Sequence, residues 1–281
     1  MGQDLNVSVE NKGNKASTLF AALTIVICIT IGALLWTFFM GAPANFQNEK
    51  EMLEKGVEAG QPLAGNYLGM MYKGGKIVPI LMGLLLMTIV FSVERFIVLS
   101  KAAGKGNLDN FVKDVLSQIK TGDIQGAIAA CDAQEGSVAN VIKAGLLKSE
   151  QVKKDGLDVD AATENITKEV EQATSLEMPM LEKHMTIIST LVSIGTLLGL
   201  LGTVSGMIKA FAGLAEGTPD QAELANGISE ALINTATGIG TSTLAVIAYN
   251  YFTSKIDTLT YFIDEAGFAI SQAYKRAKGS N

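Results

Sequence analysis

The sequence predicts an all-α polytopic membrane protein with four transmembrane helices, and three observations predict it. Hydrophobic residues make up 48% of the 281 and charged residues only 18%, with a mean hydropathy of +0.30. Four apolar runs are long enough to cross a bilayer, whose hydrocarbon core of about 30 Å needs about 20 residues of helix. The polar stretch between the second and third runs has apolar residues at helical spacing, with no strand-like alternation.

The first run spans Thr18 to Met40 and carries no charge. Lys12 and Lys15 before it and Ala42-Pro43-Ala44 after it also suit a cleaved signal peptide. A signal's hydrophobic region is about 7 to 15 residues, so the length favours a retained helix over 18–40. The second run covers 77–99 and passes through Glu94 and Arg95. The third covers 185–209 and the fourth 227–254. Between the second and third, Phe111, Val115, Ile119 and Ile124 recur near 3.6-residue spacing. This predicts a helical hairpin that extends the second and third membrane helices, with its turn at Lys153-Lys154-Asp155-Gly156.

Lys and Arg concentrate on the cytoplasmic side of membrane proteins. Lys255, Lys275, Arg276 and Lys278 follow the fourth run, whereas the loop 210–226 holds Glu216, Asp220 and Glu223 and no basic residue. That loop is therefore expected outside. The N-terminus 1–17 and the segments 100–184 and 255–281 are expected in the cytoplasm, and 41–76 outside. Lys50, Lys55, Lys73 and Lys76 count against the last assignment.

Several function classes are disfavoured. A net charge of −6 with no basic, aromatic-studded patch argues against a nucleic-acid partner. The two cysteines, Cys28 and Cys131, lie about a hundred residues apart with no second metal ligand nearby and are expected to be free thiols. A single histidine, His184, excludes a multi-His metal site and suits an interfacial polar anchor. With no phosphate loop, nucleophile elbow or ligand cluster, no metal, cofactor or enzymatic activity is expected.

The third run reads STLVSIGTLLGLLGTVSG from Ser189 to Gly206. Gly195/Gly199 and Gly202/Gly206 are small-xxx-small pairs, which let helix backbones approach closely in lipid. Ser189, Thr196 and Thr203 recur every seven residues on one face, which serves either helix packing or a polar lining. In the fourth run Glu230, Asn234, Thr237 and Thr241 form one stripe at i, i+4, i+7 and i+11. A carboxylate in a membrane helix is costly, about 2.5 to 3.5 kcal/mol at the helix centre on insertion scales, and usually faces a bundle interior or a watery cavity. Glu230 is also near enough to the start of its helix to be a first-turn residue favoured by the helix dipole. The residue types suit proton movement: a carboxyl can take and give a proton while hydroxyls and an amide order water.

LLGLLGTVSGMIKAF (Leu197 to Phe211) and ISEALINTATGIGTSTLAVIAYN (Ile228 to Asn250) resemble the MotA/TolQ/ExbB proton-channel family, most of all its ExbB and TolQ branch. VFSVERFIVL (Val90 to Leu99) and GDIQGAIAACDAQEGSVANVIKAGL (Gly122 to Leu146) are similar to further parts of it. The resemblance makes 77–281 the family core, built on the second, third and fourth helices, and 18–40 an extra helix. It implies a bacterial inner-membrane pentamer around single-span ExbD- or TolR-like partners, with Thr203, Glu230 and Thr235 on the proton pathway. Asn234, Thr237 and Thr196 are secondary pore-lining candidates. The implied work is delivery of proton-motive energy through a TonB-like protein to outer-membrane transport, or a TolQ-like role in the envelope during division, or surface motility. A non-conducting scaffold for partner helices is the reading from a different class. The chain has Gly195-Thr196 where Ala-Pro is usual in the family, Ser205 where Trp is usual, Asn234 for Ala and Lys209 for Asn or His.

Overall fold

A computed structural model describes residues 21–47, 60–215 and 221–279. The N-terminal segment with Lys12 and Lys15, the start of the first run, Lys50 and Lys55, and Glu216 and Asp220 of the outside loop fall beyond these described residues. Among the described residues nine α-helices follow one another: α1 (Ala21–Met40), α2 (Tyr67–Tyr72), α3 (Val78–Ala103), α4 (Leu108–Thr121), α5 (Ile124–Gln134), α6 (Gly136–Lys154), α7 (Val159–Leu181), α8 (Met185–Ala215) and α9 (Gln221–Gly279). Among the described residues there is no strand, only an isolated bridge between Phe46 and Pro62. Among the described residues four helices are long and apolar enough to cross a membrane, as the four runs predict.

The chain divides into two compact units. The first takes in the described residues of Met1–Ser92 and Ile187–Ala248. Within it α1 packs on α3 at two glycines: a Cβ on Gly32 would lie 2.6 Å from the Pro79 carbonyl oxygen and 2.8 Å from the Gly83 nitrogen, and one on Gly83 would lie 2.9 Å from the Ile29 Cα. The last turn of α1, Leu35–Met40, widens to a π-helix. Beyond it the chain is pinned by polar contacts. Asn45 Nδ2 donates to the Phe39 and Met40 carbonyls at 2.9 Å each, and Asn66 Nδ2 donates to Asn45 Oδ1 at 3.0 Å. Asn66 also caps α2, its Oδ1 accepting from the amides of Leu68 and Gly69. Trp36 stacks on Tyr72 with ring centroids 4.4 Å apart.

The second unit comprises Val93–Thr186 and Tyr249–Asn281, of which 280 and 281 are not described. The expected turn is present, α6 ending at Lys154 and α7 starting at Val159. The simple hairpin is not: α4 and α5 precede it. The break between them has a local cause, since Gly122 ends α4 in a left-handed conformation (φ 84°) and Asp123 caps α5 by accepting from the Gly126 amide. The reach of the last helix also differs from expectation, α9 running on to Gly279. Leu259, Ile263, Ala266, Ile270 and Tyr274 of its tail are buried, at the spacing of one helical face. Val170 of α7 fits against Gly145 and Gly267.

Arg95 is fully buried in this unit. Its guanidinium bonds Glu94 at 2.5 and 2.6 Å and the carbonyls of Met180 and Leu181 at 3.1 and 3.2 Å. His184, at a positive φ of 62°, turns the chain between α7 and α8, and its Nδ1 lies 3.3 Å from Glu94 Oε2. It is a corner residue whose side chain, 8% exposed, joins an ion pair. Both cysteines are free and buried.

Candidate proton pathway

The site lies in the first unit, where α8 and α9 meet along glycines. A Cβ on Gly195 would come 2.6 Å from Ser242 Oγ, one on Gly199 3.1 Å from the Asn234 carbonyl oxygen, one on Gly202 2.3 Å from Asn234 Cβ, and one on Gly206 2.7 Å from the Gly227 carbonyl oxygen. Gly238 on the facing helix is as tight, 2.5 Å from the Gly195 carbonyl oxygen and 2.7 Å from the Gly199 Cα. Of the four glycines singled out for packing, Gly195, Gly199 and Gly206 face backbone atoms of α9, and Gly202 faces the Asn234 side chain. Such contact replaces the hydrophobic drive that helices lack in lipid.

Close approach brings polar groups of the two helices together. The hydroxyls of Thr203 and Thr235 hydrogen-bond each other across the seam. Each also lies within bonding range of the Ala231 carbonyl oxygen, at 3.5 and 3.1 Å. Lower on the seam Thr196 Oγ1 donates to Ser242 Oγ at 2.9 Å. Ser242 was not singled out from the sequence; in a fourth run rich in Ser and Thr, only its contact with Gly195 and Thr196 sets it apart.

Glu230 is 8% exposed and bonds the Lys209 ammonium, 2.6 Å from its Oε1. On another side it meets backbone: a Cβ at Gly75, where φ is 76°, would lie 2.5 Å from the same oxygen. The positive φ and the absent side chain both favour glycine there. Asn234 is fully buried. Its Nδ2 donates to the Gly74 carbonyl at 2.8 Å, while its Oδ1 has no protein partner. Nothing in the spacing between Gly74-Gly75 and Glu230 along the sequence ties that pair to the carboxylate.

Glu230, Asn234 and Thr241 are buried on one side of α9, and Thr237 and Thr241 bond back to the carbonyls of Ile233 and Thr237. Back-bonding to the helix's own carbonyls satisfies these hydroxyls, as it also does those of Thr203 and Thr235. The structure joins Thr203 to Thr235, and Glu230 to Lys209, as two separate pairs on the same helices. Among the described residues no cluster of His, Cys, Asp and Glu could hold a metal ion.

A family model described as the MotA/TolQ/ExbB proton channel family matches residues 133–265, a stretch that contains the whole glycine seam and both pairs. The Tol-Pal system protein TolQ of Pseudomonas aeruginosa is 32% identical over 161 residues, 56% of this chain and 69% of that protein. An ExbB-like biopolymer transport protein of Synechocystis is 26% identical over 207 residues, 72% of this chain and 92% of that protein. With the all-α membrane architecture, the buried carboxylate and this likeness over most of a TolQ chain, the protein belongs to the MotA/TolQ/ExbB proton channel family.

Proposed function

We propose that this chain is the proton-conducting subunit of an inner-membrane motor that uses the proton-motive force to energise outer-membrane transport through a TonB-like protein. Glu230 carries the proton, and the Thr203–Thr235 hydroxyl pair extends its path along the α8–α9 seam. The observation that carries this reading is a carboxylate 8% exposed on a membrane-class helix, a placement whose cost is seldom borne without a function. Five copies surround single-span ExbD- or TolR-like helices, and both termini lie in the cytoplasm. The transport role draws on the ExbB-like relative, 92% of which is spanned. The higher identity to TolQ, 32%, favours a second reading, a TolQ-like motor of the envelope. No catalytic role is proposed.

The test compares Glu230→Ala, Thr203→Val and Thr235→Val with the wild type for proton flux and energy-dependent uptake, the partner protein present. Glu230→Ala is expected to abolish both, and each threonine change to lower them to a similar or smaller extent. Normal flux in the Glu230 variant removes the conduction reading and leaves a scaffold. Loss of envelope integrity with uptake intact in a deletion strain selects the TolQ-like role.

A further inference from the structure

Lys209 is the only Lys, Arg or His between His184 and Lys255, and no Asp, Glu, Lys, Arg or His lies between Glu230 and Lys255. Across the two membrane helices and their loop, one cation is therefore available, and it is spent on Glu230 at 2.6 Å. The two partners differ in exposure: the Lys209 side chain is 58% exposed and that of Glu230 only 11%. An exposed flexible arm reaches a carboxylate seated on the bare backbone of Gly75. Lys76, next to Gly75, is itself exposed and is not the partner of that oxygen.

We infer that Lys209 is a latch on the proton pathway, a positioning residue whose ammonium holds the Glu230 carboxylate against Gly75 and must leave before that oxygen takes a proton. The inference rests on Glu230 being the carrier. While the ammonium occupies Oε1, an arriving proton competes with a neighbouring positive charge; once the arm swings aside, which its exposure on the single chain permits, the oxygen is free. A lysine suits this better than a fixed donor, because its long stem moves a point charge through several ångströms.

The test uses the full-length chain in membranes with its partner, and a hydrophobic carbodiimide, which reacts with carboxyl groups in their protonated form. Lys209→Met keeps the length and removes the charge. It is expected to raise the rate of carbodiimide attachment to Glu230 at least about tenfold at neutral pH, because the ammonium no longer occupies the reacting oxygen and a lost hydrogen bond to a charged group is worth about that factor. Proton leak without the partner's drive should rise with it. Lys209→Arg is expected to stay within about twofold of the wild type. Should Lys209→Met fail to accumulate, Lys209→Gln is read in the same way. Labelling of Lys209→Met at the wild-type rate, or a Lys209→Arg variant that behaves as Lys209→Met does, overturns the latch. If Glu230→Gln conducts normally the conduction reading fails; if it does not conduct while the Lys209 variants label as the wild type does, only the latch fails.

Discussion

Replacing Gly238 with alanine should separate α8 from α9, while the same change two residues on should not. The added methyl at 238 would lie 2.5 Å from the Gly195 carbonyl oxygen, 2.7 Å from the Gly199 Cα and 3.1 Å from the Gly199 nitrogen. All three are backbone atoms, so no rotamer can make room. Restoring ordinary contact, which begins near 3.4 Å, moves the helices apart by roughly 1 Å, a gap that forfeits a quarter to a half of the dispersion energy of the atoms lining it. Overpacking of this kind costs about 1–3 kcal/mol. At Gly240 a Cβ meets nothing within 4 Å, and alanine there gains about 0.5–1 kcal/mol of helix propensity. Thermal or denaturant unfolding of the detergent-solubilised monomer is the measurement. We expect Gly238→Ala to unfold earlier and Gly240→Ala no earlier than the wild type. Equal effects of the two would refute backbone contact as the basis of the seam.

Two further outcomes follow from the second unit. Arg95→Met leaves the Glu94 carboxylate and the Met180 and Leu181 carbonyls without their buried donor, which should cost about 3–5 kcal/mol and lower the melting temperature by about 10 °C; an unchanged melting curve would show the charge network to be dispensable. Burial pushes the Cys131 thiol up to about 12, with the neighbouring Asp132 adding to the rise and Lys143 opposing it. At pH 8 only about one thiol in ten thousand is then ionised, so maleimide labelling in the folded protein should be at least about a thousandfold slower than in denaturant, and should quicken as pH rises. Rapid labelling of the native protein would contradict this.

The four membrane-class helices were legible because lipid imposes a length and a composition that any window can detect. Helix ends were less so. The third run stops at Lys209 by composition, yet α8 continues to Ala215, because a helix ends where its backbone bonds end and not where its side chains become polar. The same holds for α9, whose tail keeps a buried face at helical spacing past Lys255. Gly122-Asp123 contains a helix stop followed by a cap, a signal strong enough to have split the expected hairpin into more helices. At the site, the small-residue spacing marked four glycines that lie along the α8–α9 contact, and the family likeness selected Thr203 and Thr235, the second of which lies about 140° around its helix from Glu230. The support from Gly75 and the Lys209 ion pair are tertiary contacts between distant segments, and no local pattern encodes them. Arg95 was visible only as part of a motif, since sequence does not reveal that a charged residue inside an apolar run will find carbonyls near residue 180.

The glycine seam also limits how this protein can move. Side chains between helices act as bearings: they change rotamer and let one cylinder roll on its neighbour. Where Gly195, Gly199 and Gly238 bring main chain onto main chain, there are no bearings to turn. The α8 and α9 segments along this contact should travel as a single stave, with Thr203 and Thr235 fixed on it and unable to part. Displacement during a working cycle must then arise in what is attached to the stave by side chains alone, and the Lys209 arm is such a part.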